Sequence, residues 1–584
     1  NTTVTTSGTG TAGFQFLTLM SGTVDTGTTT FSLDFYTHSQ SGGSFVCGTG
    51  TTIFDGGSFT QTGGIFDCSA ATTLNLNFHN LTLNGGSYKA PSTLLNYRGG
   101  NFNRNAGTFD PNGGTVTFAG YTGPLGGNCC VNSNFDGASQ GTQEFFNVIF
   151  NNPNGNDGAR LSRTDIMNVR GELNLVDGTL ISTGALPLAT IAFERDITVS
   201  STWNGGDIKF LAQGSRNHSY VNNGGAQPTG DFEINKAGGI FTLASSLTLL
   251  TSQPLKITNG TLYANSGSNL TAGAVTIDLN GRLVSDSATT ITLGGALTNN
   301  GKIDLQGSGA PCPEADSILI RSSVSGTQRA WNGSGQFRLV DVDVKDMAGT
   351  TGVGVAAKEV YSGTNNGNNN STWIFTTNCP APVSISPLSV NKFVGQTQSF
   401  TAGGPYGPVI FSAVSINSGG NITSGGLYTA GSTPNTTDTV RVTDSFGGTA
   451  DATINVLAGP PANLAVLVQP SDSIAGQSIA PAVQVAIRDA AGNTVTNAAD
   501  SVTIAILNNA GGGTLSGTAT QNAVNGIATF SNLSLDRSGV GYTFVATSGS
   551  LTAANTNAFN ITPAGAAKLA FTVQPTSTAI GEPI

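Results

Sequence analysis

The strongest constraint on this chain is a phrase that occurs twice, 105 residues apart. Pro461-Ala462-Asn463-Leu464-Ala465 leads into Val468-Gln469-Pro470 and Gly476. Ala566-Ala567-Lys568-Leu569-Ala570 leads into Val573-Gln574-Pro575 and Gly581. The second copy runs to Ile584, the counterpart of Ile479. A β-sandwich unit of roughly 100 residues cannot bury a core from its first strands alone. The expectation is a tandem array of all-β units, of which this chain is the front part. Such arrays span distance, present a surface or assemble.

Composition agrees with an all-β chain. Charged residues make up 10%, against about 25% in ordinary globular domains. Gly numbers 80, while Met, Trp and His number 3 each. Thr suits pleated strands, and Gly and Asn suit turns that need positive φ. Runs of strong helix formers are absent. The net charge is −10, and no Lys/Arg cluster offers the basic face that nucleic acid needs. No apolar run reaches the roughly 18 residues of a membrane-spanning helix. A start at Asn1 is in keeping with a removed secretion signal. These features point to a secreted protein at the cell surface.

Six cysteines are present: Cys47, Cys68, Cys129, Cys130, Cys312 and Cys379. No Cys-x-x-Cys occurs, which argues against a zinc knuckle. An even count in an exported chain permits three disulfides, and buried thiols are the alternative. Cys47–Cys68 is the preferred pair, because 21 residues is about one turn of a β-solenoid.

Residues 1–377 carry short strands joined by Gly/Asn turns. Gly42-Gly43-Ser44-Phe45, Gly56-Gly57-Ser58-Phe59, Gly63-Gly64-Ile65-Phe66 and Gly85-Gly86-Ser87-Tyr88 each read as a turn followed by a strand. Thr73-Leu74-Asn75-Leu76-Asn77-Phe78 alternates apolar and polar residues. Gly171-Glu172-Leu173-Asn174-Leu175 and Leu255-Lys256-Ile257-Thr258-Asn259 continue the pattern. The reading is a right-handed parallel β-helix. These phrases resemble secreted bacterial β-solenoid proteins of the autotransporter and filamentous-haemagglutinin kind. Trp373-Ile374-Phe375, after the Gly/Asn-rich stretch 363–370, reads as the capping coil.

Residues 378–382 form a proline-stiffened linker. Residues 383–458 carry Gly426-Leu427-Tyr428-Thr429-Ala430-Gly431 and strands that alternate between turns. They resemble a bacterial Ig-like β-sandwich domain. Residues 459–563 resemble the Ig-like repeats of invasin- and intimin-type surface proteins, which act as spacers. Residues 564–584 read as the start of a further repeat. A second use for 569–573 is strand donation to a neighbouring sandwich.

Candidate sites are few. Asp341-Val342-Asp343-Val344-Lys345-Asp346 alternates so that Asp341, Asp343 and Lys345 share one face. Paired carboxylates there would serve acid/base chemistry or bind Ca²⁺, although Lys345 argues for a solvated face. The loop around Asp157 offers oxygen ligands but lacks the EF-hand order. Asp444 and Asp489 sit at hairpin ends and read as turn formers. His38, His79 and His218 show no metal-ligand spacing. No cofactor is required by any of these patterns. The resulting expectation is a non-enzymatic adhesin or fibre subunit that contacts copies of itself, surface glycans or other surface proteins. The alternative is a polysaccharide lyase or glycosidase built on the solenoid.

Overall fold

The computed structural model describes residues 3–5, 10–27, 30–119, 132–135, 142–152, 159–162, 165–183, 188–286, 288–307, 318–349, 358–361, 364–369, 372–376, 381–404, 406–566, 568–573 and 580. It is all-β, with no helix among those residues. The chain divides into two compact units, Asn1–Pro380 and Ala381–Ile584.

The first unit is a parallel β-solenoid of about 13 turns. Its pitch is set by hydrogen-bonded strands, 21 or 22 residues apart, that run in the same direction. Phe54 lies beside Leu76 and Leu76 beside Tyr97. Phe59 lies beside Leu81 and Leu81 beside Phe102. Phe66 lies beside Tyr88 and Tyr88 beside Phe109. Each turn therefore has three sides, and each side sends one column of large apolar side chains inward. On the third side the rings stack: Phe45 on Phe66 at 5.1 Å between centroids, Phe66 on Tyr88 at 4.4 Å and Tyr88 on Phe109 at 5.5 Å. Each fully buried ring contributes about 2–3 kcal/mol of transfer free energy. Strict period-two alternation puts the intervening polar residues on the outside.

The corners explain the Gly-Gly phrases. Gly22, Gly43, Gly64, Gly86 and Gly107 recur once per turn with φ between 65° and 89°. A Cβ at Gly64 would stand 2.6 Å from the Gly43 carbonyl oxygen, so stacked corners exclude a side chain as well as favouring this backbone. The buried Gln40 and Gln61 fasten the same corners. Their amides donate to the carbonyls of Ile65 at 2.8 Å and Ser87 at 3.1 Å in the following turns. Gly56-Gly57 differs from the turn expected. It lies inside the continuous strand Thr51–Gln61, where Gly56 (φ 147°) bends the chain between two sides.

The number of residues per turn varies, because some turns carry longer connections between their strands. Asp304 and Arg338, neighbours in adjacent turns, are 34 residues apart in sequence. Beyond Leu247 one side becomes a separate six-stranded sheet, from Leu247–Thr248 to Thr364–Asn365. The last described strand of the solenoid, Trp373–Thr376, pairs with Lys358–Tyr361. Trp373 packs within 5.0 Å of Trp331, at the end of the core.

The second unit is made of small, mostly antiparallel sheets around two separate cores. One core centres on Phe400, Tyr428, Val440 and Ile454. The other centres on Val485, Phe530, Tyr542 and Phe544. In the first, the buried Asp438 accepts from the Ser418 and Tyr428 hydroxyls, both at 2.5 Å. The tyrosine of the Gly-Leu-Tyr-Thr-Ala-Gly phrase is thereby fixed from inside. The repeated phrase behaves differently in its two copies. Strand Pro461–Val468 pairs with Val483–Asp489 and buries Leu464, whereas Leu569 is 99% exposed.

Two outcomes are expected. Gly64→Ala meets both the αL penalty and a backbone collision. Gly113→Ala (φ 74°, no neighbour within 4 Å) meets only the penalty. Urea titration should give losses of about 3 kcal/mol or more for the first and about 1 kcal/mol for the second. Tyr428→Phe should cost about 1–2 kcal/mol by leaving Asp438 one donor short. Its effect should appear in the unfolding of the second unit and leave the solenoid transition unmoved.

Candidate functional site

The alternation read from the sequence places Asp341, Asp343 and Lys345 on one face; in the structure Asp343 and Lys345 are half-exposed on either side of the buried Val344, and Asp341 is separated from them. Only Val342–Val344 is strand. Asp341 (φ 54°) and Asp346 (φ 60°) occupy corners on either side of it, and both are buried. A left-handed residue reverses the local direction of the chain, so the period-two rule fails at Asp341. Each carboxylate then meets different surroundings. Asp343 faces outward and takes both guanidinium nitrogens of Arg321, at 2.7 and 3.2 Å. Asp346 accepts from the Asn368 amide at 2.6 Å and the Gly326 N–H at 3.1 Å. The Asn368 bond holds its carboxyl below the usual carboxylate range. Asp341 is packed against Gly307, where an added Cβ would stand 2.2 Å from Oδ2. The Gly/Asn-rich stretch thus braces a corner: Asn369 accepts from the Met347 N–H at 2.9 Å and donates to the Val344 carbonyl at 2.8 Å.

Among the described residues, no three His, Cys, Asp or Glu side chains converge as metal ligands. Asp157, Cys129, Cys130, Cys312 and Cys379 lie outside the described residues. Cys47 and Cys68 are both buried and are joined by a disulfide between consecutive turns. Asp444 and Asp489 close turns. Asp444 accepts from the backbone of Phe446 and Gly448, and Asp489 from Ala491 and Asn493. Burial alone would raise the Asp489 carboxyl, but its hydrogen bonds outweigh that and hold it low.

Sequence reasoning missed the buried charged groups of the solenoid, one on its outer face and one within it. Asp304 is 1% exposed and sits between two arginines. Arg338 donates twice, at 2.6 Å each, and Arg282 pairs from the turn on the other side. Lys236 is fully buried; its Nζ donates to the Arg216 carbonyl at 2.7 Å and lies 3.1 Å from His218 Nδ1. Burial pushes the Lys236 ammonium down to about 8, against the pull of Glu194. The signal for Lys236 was its position, two residues beyond the inward-facing Phe232 and Ile234. Burial, reinforced by the Lys236 charge, brings His218 down to about 4. His38 stacks on Phe59 at 4.6 Å, and burial brings it to about 4 as well. Neither ring faces solvent, so neither is placed for acid/base work on a substrate.

The outer faces carry ladders instead. Asn77 donates to Asp55 at 2.7 Å, Asn96 to Asn75 at 2.8 Å and Asn105 to Asn84 at 2.8 Å, each across one turn. Lys209 pairs with Glu233 at 2.6 Å and Lys256 with Asp278 at 3.2 Å. Among the described residues these contacts are spread along the axis.

No protein-family model matches the chain, and no curated protein matches it. Among solved structures it is similar to the Yersinia pseudotuberculosis adhesin InvE, at 22% identity over 30% of this chain and 58% of that one, with a TM-score of 0.16. Cadherin domains 1–5 of protocadherin gamma B2 give 16% identity, 33% and 41% coverage and a TM-score of 0.20. A glycosyl hydrolase family 2 member from Bacteroides cellulosilyticus gives 13%, 23%, 18% and 0.17. The chain spans less than two thirds of each. Likenesses this weak carry no argument about fold or function. No helix among the described residues is long and apolar enough to cross a membrane.

The histidines generate a pH dependence. His38 has a folded pKa of about 4, below its ordinary value of 6.5. Between those values the unfolded chain binds a proton that the native state refuses. Stability is therefore full above about pH 6.5 and falls as pH drops toward 4. Urea unfolding of the solenoid should lose about 3 kcal/mol per buried histidine over that window. His38→Phe should remove one share of the loss.

Proposed function

We propose that the protein is an extracellular structural and adhesive protein of the cell surface. The solenoid presents long lateral faces, and Ig-like sandwiches at 383–458 and 459–563 act as spacers in a tandem array that 564–584 continues. The observation that supports this reading best is the repetition of asparagine hydrogen bonds from turn to turn on the solenoid's outer faces. Contact energy in such a surface is spread over many weak, equivalent sites. Repetition converts weak sites into avidity. The outward carboxylates support the same reading, since Glu233, Asp278 and Asp343 are each engaged by a cation of an adjacent strand.

Beads coated with the purified protein test the proposal directly. They should adhere to polysaccharide surfaces or to one another, and they should release no reducing sugar from the polysaccharide. Beads that stay dispersed on every surface would contradict the adhesive reading. Release of sugar that depends on one carboxylate would replace it with a carbohydrate-active enzyme.

A further inference from the structure

One face of the solenoid carries a two-dimensional array of neutral polar side chains, with Arg104 in its last turn as the one charged residue among them. It is the second side of four consecutive turns, at positions 37/39/41, 58/60/62, 80/82/84 and 101/103/105. Every one of these positions is Thr, Ser or Asn. Strand pairing puts them in register: Thr37 beside Ser58, Ser58 beside Asn80 and Asn80 beside Asn101, with Ser39, Thr60, Thr82 and Asn103 forming the next column. Adjacent turns are about 4.8 Å apart, and neighbouring columns, two residues apart along the strand, are about 7 Å apart. Most residues between them, such as Phe59, Gln61, Leu81 and Phe102, point into the core and are buried; Arg104 in the last turn is half-buried, and its guanidinium turns away to the Thr142 carbonyl at 2.8 Å. The array is therefore anchored on a rigid backing. The corner column Gly43, Gly64, Gly86 and Gly107 flanks it, so no side chain rises above that edge. Its opposite edge begins at Tyr36, which is 72% exposed beside Gly57 of the next turn.

The ladders do not consume the array. Asn80 donates to Ser58 at 3.3 Å, and Asn101 donates to Asn80. Thr37, Thr60, Thr82 and Asn103 make no side-chain hydrogen bond among the described residues. Their groups both donate and accept.

We infer that this face is a binding surface for an extended, neutral polysaccharide. The inference rests on the adhesive reading above and narrows it to one face and one ligand class. Charge complementarity decides the class. A polyanion would give up its hydration to a surface that offers no cation in any of the twelve positions, whereas a sugar hydroxyl matches donors and acceptors without net charge. Flatness decides the size. Single sugars and other small ligands need a concave site that covers most of their surface, which a flat sheet does not supply. A chain lying along the axis gains a contact at every turn and accumulates them by avidity. The exposed Tyr36 ring at the edge adds an amphipathic aromatic surface of the kind found where one side of a contact is apolar and the other wet.

The test is co-sedimentation of the full chain with microcrystalline cellulose, chitin and polygalacturonate-coated beads. The wild type is expected to pellet with at least one neutral polymer and not with the polyanion. Thr60→Lys combined with Thr82→Lys places two charges in the middle of the array on outward positions. It should weaken retention by about tenfold or more, with the β fold retained in the circular dichroism spectrum despite repulsion between the paired lysines. Thr198→Lys with Thr276→Lys adds the same charge elsewhere on the solenoid and should bind like the wild type. Failure to bind any neutral polymer, preference for the polyanion, or equal retention of the Thr60/Thr82 variant would overturn the inference. If coated beads of the wild type and of that variant adhere equally well, the adhesive reading stands and this face is not its site.

Discussion

The backbone hydrogen bond between one turn and the next governs the rest of this molecule. It runs parallel to the solenoid axis and repeats with a step of 21 or 22 residues in the N-terminal turns. Every other regularity is a consequence of that step. It stacks Phe on Phe and Tyr on the inside and Asn on Asn on the outside. It also brings the Cys47 and Cys68 backbones within 4.5 Å. The ladder holds only if the chain turns three corners per rung without raising a side chain against the rung below. At one of those corners the αL glycines Gly43, Gly64 and Gly86 meet that demand, and no L-residue with a Cβ fits there.

The same geometry tolerates buried polar groups, even though the Oε1 atoms of Gln40 and Gln61 and both ring nitrogens of His38 find no hydrogen-bond partner among the described residues. Gln40 and Gln61 are completely buried, yet their amides reach carbonyls of the following turn. Asp304 is held between Arg282 and Arg338 from the turns on either side. Lys236 spans a corner to a carbonyl and a neutral imidazole. Removing one partner of such a group leaves a buried charge or donor exposed to a low dielectric, which costs several times the net worth of the bond. These positions tie particular turns together in a core that is otherwise non-directional.

Much of the fold was legible in the residues. Alternation in Thr73-Leu74-Asn75-Leu76 states which side chains face inward, because a strand has period two whatever it pairs with. The Gly-Gly phrases mark bends, and Cys47 with Cys68 reports the pitch. The glycine phrases are unevenly spaced in sequence because phrases with different places in the turn are interleaved. Gly42-Gly43, Gly63-Gly64 and Gly85-Gly86 belong to one corner, and Gly56-Gly57 lies inside a strand. Alternation failed at Asp341, a left-handed corner residue that precedes the strand and is buried although its parity is outward. Burial of Lys236 and His218 was hidden for another reason. Composition assigns such residues to the surface, and only the inward register of Phe232 and Ile234 carries the contrary signal. The array at 37–105 could not be seen as a surface until the register was known, since its columns are 21 or 22 residues apart in sequence.

The central claim is that register, and disulfide mapping tests it most directly. Thr60 and Thr82 face outward in adjacent strands and are direct partners, within the Cα–Cα distance that a disulfide spans. Thr60→Cys combined with Thr82→Cys should cross-link under mild oxidation. Peptide mass spectrometry should find the 60–82 pair, and Thr60→Cys combined with Asn84→Cys should give little of the corresponding product. Failure of the 60–82 pair to form, or preference for the 60–84 pair, would contradict the register and with it both the core columns and the outer array.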